Sequence, residues 1–216
     1  MNLIKRLSKF GNVPFSRGAM LSILGEYRRP NDKIAQLMDQ GVLLPLKKGL
    51  YVLGEDYRPG SVSLPLMANL LYGPSYVSAD SALAWHGLIP EGVFGVTSIT
   101  SRRSKNYDTP FGRFAYLHVP QEVFRIGIQM EAADDGTAFL MAGPEKALCD
   151  KILVTRNLRL GSLQALASFL EEDLRVDIDM LLGWNLAIVD QYKSCGHKVA
   201  ILTLLRKFLE DINVGR

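Results

Sequence analysis

Apolar residues recur at three- and four-residue spacing three times before residue 42, which predicts three short helices. Leu3, Ile4, Leu7 and Phe10 mark the first, with Gly11 placed to close it. Ser16 is positioned to cap the second, whose stripe is Ala19, Met20, Ile23 and Leu24. Pro30-Asn31 breaks the pattern, and Asn31 is expected to cap a third helix from Asp32 to Gln40 with Ile34, Leu37 and Met38 turned inward. Gly41 then stands where a left-handed residue ends a helix. Two apolar runs follow, Val42 to Leu46 and Gly49 to Leu53, around Lys47-Lys48-Gly49. They predict a β-hairpin with a basic tip.

The pattern stops at Asp56-Tyr57-Arg58-Pro59-Gly60, which reads as a linker between residues 1–56 and a body of residues 60–216. In the body a helix is predicted over Leu64 to Leu71, where Pro65 suits a first turn. Ser78 is expected to cap another, through Ala82, Leu83 and Trp85 to Gly87. Strand-like runs cover Val93 to Thr100, Arg113 to Val119, Val123 to Met130 and Thr137 to Met141. Thr109-Pro110-Phe111-Gly112 and Asp134-Asp135-Gly136 supply turns between them. Pro144 opens a helix from Glu145 to Leu153, and from Ser162 onward the chain reads as helical, with Leu163, Leu166, Ala167 and Leu170 in one stripe. The last helix, about Lys198 to Ile212, is apolar over more than one face. The expected fold class is α+β: an N-terminal winged helix-turn-helix, a mixed α/β body and a helical C-terminal tail.

Charge sharpens this division. Of 25 Lys+Arg and 22 Asp+Glu in the 216 residues, nine bases and only three acids fall in residues 1–54. That quarter carries a surplus of six positive charges, and the remaining 162 residues a deficit of three. A basic module on a mildly acidic body points to an anionic partner at the N-terminal end. In a winged helix the second helix of the helix-turn-helix lies in the major groove while flanking bases hold phosphates. Here Lys33 and Gln36 project from the outer face of the third helix, with Asp32 and Gln40 at its rim. Gln pairs bidentately with adenine and Lys reaches guanine, so this face carries readout chemistry. Arg28 and Arg29 before the helix, and Lys47 and Lys48 on the hairpin, are candidate phosphate contacts; Arg17 and Asn31 complete the candidate set for double-stranded DNA. A winged helix that contacts only protein is the alternative.

The rest of the composition mainly excludes. No apolar run approaches the roughly 18 residues of a membrane helix, and MNLIKRLSKFGNVPFS lacks the apolar core of a secretory signal. Cys149 and Cys195 stand in no zinc or redox spacing, as expected of reduced thiols in a cytoplasmic protein. His86, His118 and His197 are far apart and show no carboxylate at ligand spacing, so no metal or other cofactor is expected; Trp85-His86 reads as a packed helix end. Nucleophile elbows and phosphate-cradling loops are missing. Asp80, Glu91 and Glu145-Lys146 lack a nuclease pattern, and Glu171-Glu172-Asp173 reads as solvated surface. The chain is not expected to be an enzyme.

Several stretches resemble the AbiEi-type antitoxin and transcriptional-regulator family. They are Ser78-Ala79-Asp80-Ser81-Ala82-Leu83, His86-Gly87-Leu88-Ile89-Pro90-Glu91, Thr97 to Thr100, Thr109 to Phe114 and Ala142 to Lys151. Gly41-Val42-Leu43 and Lys48-Gly49-Leu50-Tyr51 are similar to that family's winged-helix end. The likeness spans roughly residues 1–155. It implies a repressor that binds inverted repeats in its own promoter, and an antitoxin against a nucleotidyltransferase-like toxin. It implies no catalytic residue. For a protein partner, Arg206 and Lys207 on the last helix are the candidate contacts; the alternative is that this helix only completes the core of the body.

Overall fold

Local signals set the first module. The computed structural model describes residues 3–90, 95–133 and 136–214. Helix α1 (Leu3–Leu7) runs into a tighter turn ending at Gly11, whose φ is +57°. A two-residue strand β1 (Phe15–Ser16) leads into α2 (Arg17–Ile23), capped as expected by the Ser16 hydroxyl, which accepts from the Ala19 amide at 3.2 Å. Helix α3 covers Pro30–Asp39 and begins earlier than the sequence pattern predicted. Pro30 does not break the chain but occupies the first turn, where its missing N–H costs nothing. Asn31 is therefore inside the helix and is not its cap. Gly41, at φ +69°, closes it: its amide bonds to Met38 O and that of Val42 to Leu37 O.

The hairpin of β2 (Leu43–Lys47) and β3 (Leu50–Leu53) lies between two cores. With β1 it makes a three-stranded antiparallel sheet in the order β1-β3-β2. Side chains alternate across a strand, so Tyr51 and Leu53 join Leu7, Met20, Leu24, Ile34 and Leu37 in the N-terminal core. Leu50 and Val52 instead join the core of the body. On β2, Leu44 and Leu46 share that side by the same alternation. The stretch read as a linker is also tied down. Arg58 donates to Leu53 O and Gly60 O, while the Gly60 amide donates to Asn12.

In the body, α4 (Leu64–Leu71) has the predicted bounds and is capped by Ser63. A mixed six-stranded sheet follows in the order β6-β7-β5-β4-β9-β8. Its strands are β4 (Ser75–Val77), β5 (Val96–Thr100), β6 (Lys105–Thr109), β7 (Gly112–His118), β8 (Ile128–Ala132) and β9 (Ala138–Ala142). Both β4 and β6 went unpredicted, β4 being too short for a period and β6 too polar. The Asn69 side chain supplements short β4 by bonding both the N–H and the C=O of Leu140 on β9. Val123 and Phe124 are not strand, as predicted, but helix: α6 (Gln121–Phe124) follows Pro120, and β8 starts only at Ile128. Helix α5 (Asp80–Trp85) ends at Gly87 as expected. Val93 and Glu91, like the Asp134-Asp135 half of one predicted turn, lie outside the described residues.

Helix α7 (Pro144–Val154) runs through the core and carries a buried polar knot. Asp150 accepts from Tyr76 at 3.0 Å, Ser78 at 2.7 Å and Tyr192 at 2.6 Å. Lys146, one turn earlier, donates to the Tyr192 hydroxyl at 2.7 Å and lies 3.6 Å from the Asp150 carboxylate. Ser78 is thus a ligand of Asp150 and not the cap of α5, which has no side-chain cap. Burial pulls the Lys146 ammonium below the usual lysine range and pushes the Tyr76 and Tyr192 hydroxyls up. Helix α8 (Leu163–Ser168) leads into a wide turn, then α9 (Leu186–Ser194) and α10 (Val199–Val214). Ile201, Leu202, Leu205 and Leu209 of α10 are buried in the core of the body, so its apolar side completes that core. No described helix is long and apolar enough to cross a membrane.

Candidate nucleic-acid interface

One face of α3 stays in solvent because its apolar residues are confined to the other. Ile34 and Leu37 are buried, while Asn31, Asp32, Ala35, Gln36, Asp39 and Gln40 are exposed. Lys33 is half-buried, its ammonium 5.8 Å from the Tyr27 ring and 2.8 Å from the Gln36 amide oxygen. The two side chains proposed for base readout therefore sit side by side, held together by a bond that a base edge can replace.

The basic residues around α3 divide into free and engaged groups. Arg28 is exposed in the turn before the helix. Arg29 is exposed too but pairs with Asp32 at 2.7 Å, which lowers its net attraction for phosphate. Arg17, first residue of α2, donates from its guanidinium to Asn31 at 2.7 Å and from its amide to Gly49 O at 2.8 Å. That places the starts of α2 and α3 and the hairpin turn together, with Lys48 exposed on the turn. Lys47 departs from the expectation. Its ammonium donates to Leu71 O, the carbonyl at the end of α4, so it joins the hairpin to the body and is not a free phosphate contact.

The same joint brings a second basic element alongside. Next to Leu71, Tyr72 donates its hydroxyl to Arg103 O at 3.2 Å. Ser101-Arg102-Arg103-Ser104 links β5 to β6 and, with Tyr72 and His118, lines a shallow recess of about 630 Å³. The loop is held in shape from several sides: His118 donates its amide to Ser104 and its Nδ1 proton to Arg102 O, and the Arg102 amide donates to Thr100. Lys105 extends the patch over the Tyr72 and Tyr107 rings. Arg102, Arg103 and Lys105 are exposed, and no acid appears in the lining. Sequence reasoning missed these three bases because the acidic total of the body hid them; three bases in four residues without an acid was the available signal.

The proposed partner contacts on α10 separate. Lys207 is exposed, whereas Arg206 is half-buried and engaged within the chain. Its guanidinium pairs with Asp190 of α9 at 2.8 Å and also with Glu210. Those bonds hold the Asp190 carboxyl below the usual range. Among the described residues, no three His, Cys, Asp or Glu side chains gather as a metal site. Cys149 and Cys195 are free thiols, and burial pushes both up. No model of a known protein family and no curated protein matches the chain.

Proposed function

We propose that residues 3–53 form a winged helix-turn-helix that binds double-stranded DNA, with α3 as the reading helix and the β2–β3 hairpin as the wing. One observation carries this reading: the exposed face of α3 with Gln36 starts beside bases of the preceding turn, of α2 and of the hairpin turn, and a further basic loop of the body is tied to the same hairpin through Leu71 and Tyr72. Arg17, Arg28 and Lys48 come from the N-terminal module, and Arg102, Arg103 and Lys105 from the body. Gln36 and Gln40 offer amide groups suited to base edges, with Lys33 beside them. The surrounding guanidinium and ammonium groups suit phosphates, which set register and most of the affinity. Because Lys47 fixes the hairpin to α4, the wing and the 101–105 loop would meet one duplex as a single rigid surface.

In this reading the chain is a transcriptional regulator, and the resemblance to AbiEi-type antitoxins extends it to repression of its own operon. The same resemblance suggests that residues 60–216 neutralise a nucleotidyltransferase-like toxin. Binding of the full chain to the DNA upstream of its own gene, against unrelated DNA over a range of salt, tests the first part. Selective binding supports it; equal, weak binding to both DNAs contradicts it. Relief of growth arrest on co-expression with the product of an adjacent gene tests the second part.

A further inference from the structure

The two edges of the body sheet differ. Strand β6 lies against β2 of the hairpin, whereas among the described residues β8 pairs only with β9. The bonds flanking the β8–β9 ladder fix its parity: Gly143 N donates to Gly127 O, and Ala133 N to Thr137 O. Both pairs belong to the register Gln129↔Met141 and Glu131↔Phe139, so odd-numbered residues of β8 exchange bonds with β9. The backbone N–H and C=O groups of Ile128, Met130 and Ala132 therefore point off the edge. Edge strands are usually guarded by proline, bulges or lysine. Ile128-Gln129-Met130-Glu131-Ala132 has none of these, its pairing with β9 is unbroken, and Met130 is 75% exposed.

We infer that β8 is an interaction edge for a second copy of this chain, pairing antiparallel about a two-fold axis at Met130. The segment complements itself in that arrangement. Met130 faces its own symmetry mate, Ile128 faces Ala132, and all five residues overlap, with the even-numbered backbone groups that point outward forming the bonds. Gln129 faces Glu131 of the partner subunit, amide against carboxylate, twice across the axis. Sliding the pairing so that the axis falls on Glu131 sets two carboxylates against each other and loses overlap. Sliding it the other way, to an axis on Gln129, sets Glu131 against Gly127 and loses both the overlap and the amide–carboxylate pairs, so pairing and overlap together favour the Met130 register. The apolar Met130 side chain, otherwise in water, is covered by its mate. This inference stands apart from the DNA reading and fails or survives independently of it.

Sedimentation equilibrium of the full chain tests it. The wild type is expected to dimerise. Gln129→Glu creates two like-charged cross-strand pairs and should weaken the dimer by about tenfold, less in high salt. Gln129→Lys, an equally exposed change that pairs with Glu131, should not weaken it. In a Cys195→Ser background, Met130→Cys should cross-link on mild oxidation, because hydrogen-bonded antiparallel partners have Cα atoms about 5.5 Å apart, within disulfide reach. A protein monomeric up to about 0.1 mM overturns the inference. So does a dimer that responds alike to both Gln129 variants, or one that fails to cross-link.

Discussion

Replacing Asp150 by Asn removes one charge from the buried knot while keeping its shape. The Lys146 ammonium, only 1% exposed, then has no counter-charge within reach; the Tyr192 hydroxyl and Val123 O remain as its acceptors. Leaving one partner of a buried pair uncompensated costs about 3–5 kcal/mol, against total stabilities of about 5–15 kcal/mol. The opposite deletion is less damaging. In Lys146→Met the Asp150 carboxylate still accepts from Tyr76, Ser78 and Tyr192. The expected cost is about 1–3 kcal/mol, set by the Tyr192 lone pair left without its donor. Urea unfolding of both variants, with the slope checked against wild type, measures the difference. If Asp150→Asn costs no more than Lys146→Met, the knot does not depend on its carboxylate and the assignment of roles is wrong.

Three further outcomes are expected. Tyr76 and Tyr192 keep their protons in the folded chain above the pH, about 10, at which unfolded tyrosines ionise. The unfolded state then holds fewer protons, so stability should fall as pH rises beyond about 10; Tyr192→Phe should reduce that slope in pH-dependent urea melts. A Cβ on Gly54 would lie 2.0 Å from Gly41 O, a backbone atom with little room to move. Gly54→Ala should therefore destabilise the N-terminal module by about 1–3 kcal/mol, read as a lower thermal midpoint. Lys47→Ala should loosen the joint between hairpin and body, seen as faster amide exchange in β2 and α4, whereas Lys48→Ala should leave exchange unchanged and reduce only DNA affinity.

Sequence legibility followed the range of the interactions involved. Ser16, Gly41 and Gly87 act within four residues of themselves, and the helix ends they mark appear where the pattern put them. The Leu64–Leu71 helix needed only its own periodicity and a proline in its first turn. Ser78 and Asn31 also looked like caps, but their side chains take distant partners, Asp150 at a separation of 72 residues and Arg17 at 14. No local rule reveals that choice. Lys47 and Arg206 read as surface charges for the same reason: their partners, Leu71 and Asp190, lie on other elements. The basic loop Arg102-Arg103-Ser104-Lys105 was visible as composition. Its position beside the hairpin is set by contacts between elements distant in sequence, β6 against β2 and the Lys47 and Tyr72 bonds.

Salt-dependent binding to DNA tests the central claim most directly. Fluorescence anisotropy of the full chain on its own upstream duplex should give a steep fall of affinity with salt. Arg102→Ala with Arg103→Ala should flatten that dependence by about 0.9 per lost phosphate contact without changing preference for sequence. Gln36→Ala should leave the slope intact and shrink the preference for the upstream duplex over unrelated DNA, by about 1–3 kcal/mol for a lost base contact. Variants that match wild type in both slope and preference would contradict the interface described for α3, the wing and the 101–105 loop.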